Sequence, residues 1–229
     1  MDSTNRNEAG RQTAGGLAAL YLALAYLAAM PYFLIVVDYL GATTIGEKVA
    51  LIIGNYPSMY AMYLATYSIF GIALGVLVFT LYDRAKSNAP ALARMTAAIG
   101  VMWSFALVAS GMIYMYGMST VVGLAKTDLS QAQATWQAME PVAMGLGGAG
   151  GEILGGLWIL LTSLTALRCG ALPKVLNWLG IAIGVTGLVS VIPPLRDASM
   201  AFGVLQIPWL IWLGITLLRQ KQTGNNPGM

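Results

Sequence analysis

The chain has 229 residues, 58% of them hydrophobic and only 9% charged, against about 25% charged in a soluble domain. With a mean hydropathy of +0.71, this excludes an ordinary soluble domain and implies an integral membrane protein with room for about six spans. The net charge of +3 is no nucleic-acid footprint, because the basic residues flank apolar runs and do not gather on one face.

Residues 1–13 are polar and predict a mobile tail. Arg6 and Arg11 precede an apolar run over residues 14–37 that is too long for a signal-peptide core. It predicts an uncleaved first span, bent in its last third by Pro31. Residues 41–55 predict a short amphipathic helix in the interface, with Glu47 and Lys48 on one side and Val49, Leu51, Ile52 and Ile53 on the other. Span two is expected over residues 58–82, with Pro57 near its first turn. Span three is expected over residues 91–118, opened by Pro90.

Residues 119–141 form the longest hydrophilic segment. Asp128-Leu-Ser-Gln reads as a helix start with Asp128 as N-cap. The surface helix that follows is predicted to lead into span four, residues 144–167. A turn with Gly170 and Pro173 separates it from span five, residues 175–192, which Pro193-Pro194 stops. Span six is expected over residues 201–218 with a kink at Pro208, and residues 222–229 are expected to be disordered. The predicted fold is an all-α, polytopic membrane bundle of six transmembrane helices with short outward-facing amphipathic helices. One domain, residues 14–221, lies between two short tails.

Arg6, Arg11, Arg84, Lys86, Arg94, Arg168, Lys174, Arg219 and Lys221 fall on one side of these spans, and Lys48, Lys126 and Arg196 on the other. The positive-inside rule then puts both termini in the cytoplasm and turns loops 38–57, 119–143 and 193–200 outward.

Span four holds one ionisable residue, Glu152, crowded by glycines. On a continuous helix, Ala143, Gly147, Gly151 and Gly155 form one small ridge, and Gly148, Glu152 and Gly156 its neighbour. Such ridges let transmembrane backbones approach closely, so this helix is expected to be central. Glu152 lies about 12 Å into the run at 1.5 Å per residue, near the middle of a core about 30 Å thick. A carboxylate there must be protonated, paired or facing a wet cavity. It reads either as a ligand or proton site or as a neutral carboxyl bonding a neighbouring helix.

Tyr56, Tyr60, Tyr63 and Tyr67 form one helical stripe on the outer half of span two. Tyr32, Tyr39, Tyr114 and Tyr116 also fall in outer halves. Two readings stand: an aromatic-walled vestibule ending at Glu152, or an interfacial aromatic belt. Met112, Met115 and Met118 share a helix side and suit either Cu(I) or, more simply, adaptable packing. Gln206 lies just inside span six and reaches either the vestibule or a neighbouring helix. Arg196 and Asp197 are candidates to pair with Glu140 or Asp128, or form a surface pair of little weight. Histidine is absent, which removes histidine-ligated haem, most zinc and copper sites and every Ser-His or Cys-His catalytic unit. Cys169 is the single cysteine, so no intrachain disulfide forms. The ligand-binding set expected is Glu152, Tyr60, Tyr63, Tyr67, Met115 and Gln206, with no catalytic residue, cofactor or metal ligand assigned.

The run LGGLWILLTSLTALRCGALPKVLNWLGIAIGVTGL holds a Gly-Leu-Trp helix, an Arg-x-Gly-x-Leu-Pro turn and a Leu-Gly span. It resembles the domain-of-unknown-function family numbered 4386, a family of bacterial six-helix membrane proteins. The resemblance implies six spans and a bacterial inner membrane, and it brings no activity and no site residues. The residues themselves favour a protein that binds or carries a small lipophilic molecule or lipid. The alternatives are an accessory subunit of a membrane complex, with a membrane protein or a second copy as partner, and a proton-coupled transporter using Glu152. An intramembrane enzyme is weakest, because no nucleophile–base pair or paired acids are evident.

Overall fold

A computed structural model of the chain describes residues 3–148 and 151–223, and all its regular structure among these is helical. Helix α1 (Ser3–Pro31) runs on into a π-helical turn, Tyr32–Val36. Helix α2 (Ile45–Tyr63), a second π-helical turn (Leu64–Ile69) and α3 (Phe70–Ala85) follow one another without a loop. Then come α4 (Pro90–Leu124), α5 (Leu129–Gly147), α6 (Ile153–Cys169) and α7 (Lys174–Val189). A 3-10 turn, Pro193–Leu195, leads to α8 (Ala198–Thr223).

The ends of these elements follow from local chemistry. Thr44 and Glu47 form a capping box at the start of α2: Glu47 N donates to Thr44 Oγ1 at 3.2 Å, and Thr44 N donates to Glu47 Oε2 at 2.9 Å. Asp128 caps α5, its Oδ1 accepting from Gln131 N at 2.9 Å, as the sequence predicts. Pro31 ends the α-helical register of α1. Proline has no N–H and its ring crowds the carbonyl four residues back. The helix answers with the wider π register, in which Val37 N donates to Tyr32 O at 2.9 Å. The start of α2 and the remainder of it are joined at a kink, where Asn55 has φ −120° and ψ 16° just before Pro57.

Around the bundle, α1 packs on α8, α8 on α7, α7 on α6, α6 on α4, α4 on α3, and α3 on α1 again, which closes a ring of six helices among the described residues. Helix α5 lies along the far half of α4, and the first turns of α2 rest on both. Among the described residues, four helical stretches are long and apolar enough to cross a membrane: Ala9–Val36, Ile45–Ala85, Pro90–Leu124 and Ala198–Arg219. Helices α6 and α7 are apolar but shorter, 17 and 16 residues.

Two expectations need correction. The polar N-terminal segment is not a tail outside the helix, because α1 is helical from Ser3. Span four is not one continuous helix either. Helix α5 stops at Gly147 and α6 starts at Ile153, so the long ridges drawn through Gly147, Gly151 and Gly155 do not form. Glycine serves close packing, but it also permits the left-handed turn that ends a helix, and here the second use prevails at Gly148.

South of that break, in chain terms, the glycines of α6 do pack as small residues should. A Cβ on Gly156 would lie 2.8 Å from Leu188 N and 2.9 Å from Gly184 O. Backbone therefore meets backbone, and α7 of the same chain fills the face. Two apolar cores result. The larger joins Leu22, Leu74, Trp103, Trp158, Phe202 and Trp209 inside the ring. The smaller joins Val49, Ile52, Met59, Met118 and Trp136 where α2, α4 and α5 meet.

Because backbone atoms cannot step aside, Gly156→Ala is expected to lower stability by about 2 kcal/mol. Gly145, with open space beside it, should accept alanine with little change; thermal unfolding of both variants in detergent checks the contrast.

Candidate functional site

The break between α5 and α6 sets the position of Glu152. Gly148 takes the left-handed conformation (φ 85°, ψ 0°) as the C-cap of α5, and its N–H donates to Met144 O. Glu152 is the N-cap residue of α6. Its backbone N donates to Ser190 Oγ at 3.0 Å, and Ser190 Oγ donates to Gly187 O at 2.6 Å. These two bonds tie the start of α6 to the end of α7. The Glu152 carboxyl folds back over Gly148, occupying the space a Cβ would need: Oε2 is 2.5 Å from that point. Among the described residues the carboxyl has no hydrogen-bond or ion-pair partner. Since α6 rises about 25 Å over its length, Glu152 stands at one end of that helix and not in its interior.

Beside it is a cavity of about 620 Å³. Ala25, Ala29, Met30, Phe33, Phe70, Leu107 and Met144 supply apolar wall, and Tyr26, Tyr39, Tyr63, Tyr67 and Tyr114 supply aromatic wall. Leu34, Leu40, Arg196, Asp197 and Met200 line it too and are exposed, so they mark the rim. The cavity lies on the seam between the two cores, with Phe70 and Leu107 from the larger and Tyr63 and Tyr114 from the smaller. Both π-helical turns border it, through Phe33 and Leu34 and through Thr66 and Tyr67. Such turns shift the side-chain register by one residue inside a helix.

A family model described as a domain of unknown function, DUF4386, matches residues 15–217. The chain belongs to this family. No curated protein and no solved structure matches it. The cavity-lining residues run from Ala25 to Gly203, so the whole site lies inside the DUF4386 region and not only near residues 150–190, where the sequence resemblance is concentrated.

Of the six residues expected to bind a ligand in this DUF4386 chain, Glu152, Tyr63 and Tyr67 line the cavity, and so do Tyr39 and Tyr114 from the outer-half tyrosines. Tyr63 stacks on Tyr114 at a centroid distance of 4.2 Å, and Tyr67 meets Tyr114 edge-on at 5.4 Å. The hydroxyls of Tyr63, Tyr67 and Tyr114 make no hydrogen bond within the protein among the described residues. Tyr60 is not among the lining residues. It sits about 60° round the helix from Tyr63, is exposed, and pairs with Tyr56 at 5.9 Å. Met115 is buried in the smaller core. Gln206 is buried behind the wall and acts through it, its Nε2 donating to the Tyr26 hydroxyl at 3.2 Å. Tyr26 is a wall residue that the sequence reading passes over. The signal is present on α1, where Ala25, Ala29 and Phe33, and beside them Tyr26 and Met30, recur four apart. Among the described residues no group of three His, Cys, Asp or Glu side chains comes together as metal ligands.

The second acid of the cavity is Glu140, and its partners differ from those expected. It pairs with Lys48 and not with Arg196: Lys48 Nζ lies 2.8 Å and 2.9 Å from its two carboxylate oxygens. Tyr39 Oη donates to Glu140 Oε1 at 2.7 Å and accepts from Trp136 Nε1 at 2.9 Å. Lys48 also lies 5.3 Å from the centre of the Tyr39 ring. The first turns of α2 rest on α5, which puts Lys48 within reach, while Arg196 stays on the rim. This cluster fixes loop 38–44 and α2 to α5 and so holds one side of the cavity mouth.

Lys48→Met leaves a buried carboxylate without its cation. A loss of about 3 kcal/mol in stability is expected, and Glu140→Gln added to it should restore most of that loss. Thermal unfolding of the single and double variants in detergent reads the difference.

Proposed function

We propose that this protein binds or carries a small lipophilic molecule or lipid in the cavity at Glu152. The observation that carries the reading is a carboxyl with no partner among the described residues, beside about 620 Å³ of largely apolar space. Buried polar groups in proteins are nearly always satisfied. A site that turns a carboxyl and three tyrosine hydroxyls, none bonded to another described residue, toward one space is organised for something polar at one point that enters it. The size suits a small ligand. On this reading the chain crosses a bacterial inner membrane six times, α6 and α7 forming the two short spans, with both termini cytoplasmic. The cavity then opens on the outer side, because the exposed Arg196 and Asp197 on its rim belong to an outward loop.

A second reading, proton-coupled transport, draws support from one feature. The acid stands at the first turn of α6, just after α5 ends, and interrupted helices mark substrate and ion sites in carriers. The glycine face that would serve an accessory subunit is occupied by α7, which leaves that alternative without its sequence argument.

Mass spectrometry of gently purified protein tests the proposal. Wild type is expected to carry a bound species that is depleted in Glu152→Gln; identical spectra for two folded proteins, with no bound species in either, would contradict it.

A further inference from the structure

We infer that the molecule held in this cavity is a lipophilic cation, a positively charged nitrogen on an apolar body, with that nitrogen on Glu152. The inference rests on the binding reading above and names the class of ligand.

Five charged side chains line the cavity: Lys48, Glu140, Glu152, Arg196 and Asp197. Lys48 and Glu140 neutralise each other in a two-oxygen pair. Arg196 and Asp197 are neighbours in sequence, of opposite sign, and exposed on the rim, where water and salt screen them. That leaves Glu152 as the one acid of the interior without a counter-charge among the described residues. Its surroundings are the wrong kind for an anion and the right kind for a cation. Five tyrosine rings line the space, and an aromatic face attracts positive charge through its quadrupole. An anionic guest would bring like charge to Glu152 in a poorly hydrated place. A pure hydrocarbon would leave the carboxyl and the hydroxyls of Tyr63, Tyr67 and Tyr114 buried without partners. An ammonium group satisfies the carboxyl, while an alkyl body covers Ala25, Ala29, Met30 and Phe33. The same chemistry is offered by the amine head of a zwitterionic lipid and by a free alkylamine.

The test uses full-length protein and three probes with one decyl chain: decylammonium, decanol and decanoate, each below its micelle concentration, with binding read by titration calorimetry. The cation is expected to bind about tenfold more tightly than either of the others. Glu152→Gln should erase the preference, and Lys126→Gln, at an exposed residue away from the cavity, should leave it. Equal affinities of wild type for the three probes, or a preference that survives in Glu152→Gln, overturns the cation class and leaves lipophile binding intact. No saturable binding of any probe overturns both. The wild-type series decides the class even if the glutamine variant fails to fold. In nanodiscs of phosphatidylglycerol, added phosphatidylethanolamine that competes with the probe identifies a lipid head as the source of the nitrogen. Absence of competition, with the probe still bound, identifies a free amine; both support the class.

Discussion

Gly148 has no Cβ, and the volume a Cβ would fill belongs to the Glu152 carboxyl. The rest of the site follows from that contact. Only glycine accepts both the left-handed turn and the carboxyl lying across it. Because the chain leaves the helical conformation there, α5 ends and α6 begins only at Ile153. Because α6 begins there, Glu152 stands at a helix end with its side chain beside open space and not inside a packed interface. A continuous helix through the same residues would have carried the acid into the ring of α6, α7 and α4, where Gly156 and Gly184 leave no room even for a methyl group.

The two cores divide the labour. The larger one closes the six-helix ring with tryptophans and leucines, and a few internal bonds such as Thr96 to Thr165 and Trp209 Nε1 to Leu176 O join its helices. The smaller one, where α2, α4 and α5 meet, is studded with tyrosines and is held by the Lys48–Glu140–Tyr39–Trp136 cluster. The cavity occupies the seam where these two packings do not mesh. The π-helical turns sit at that seam on both sides, each breaking the ordinary register so that Phe33 and Tyr67 reach a space the straight helices would not enclose.

The all-helical architecture is legible in the sequence, because long apolar runs make helices able to cross a bilayer, and four such stretches are present among the described residues. Asp128 announces its helix in the same way, by a side chain of the right length at the right spacing. What the sequence conceals is subtler. The glycines near Glu152 are ambiguous between a packing ridge and a helix stop, and periodicity favours the ridge. The π-helical turns leave no compositional mark. Lys48 and Glu140 stand 92 residues apart, and nothing local tells either that the other is its partner. Tyr60 shares the spacing of Tyr63 and Tyr67, yet a rotation of about 60° is enough to turn it outward. The acid and two of the tyrosines could be found because an ionisable group in an apolar run carries a cost that demands a reason.

The account stands on one arrangement: the Glu152 carboxyl faces a cavity that a lipophilic molecule can enter, while Glu140 is sealed by Lys48 and Tyr39. Dicyclohexylcarbodiimide, an apolar carboxyl reagent, interrogates this directly in membranes when the modified residue is located by peptide mass spectrometry. The account predicts modification at Glu152, with Glu140 spared until the protein is unfolded. Glu152 left unmodified in folded protein, but modified after unfolding, would contradict it.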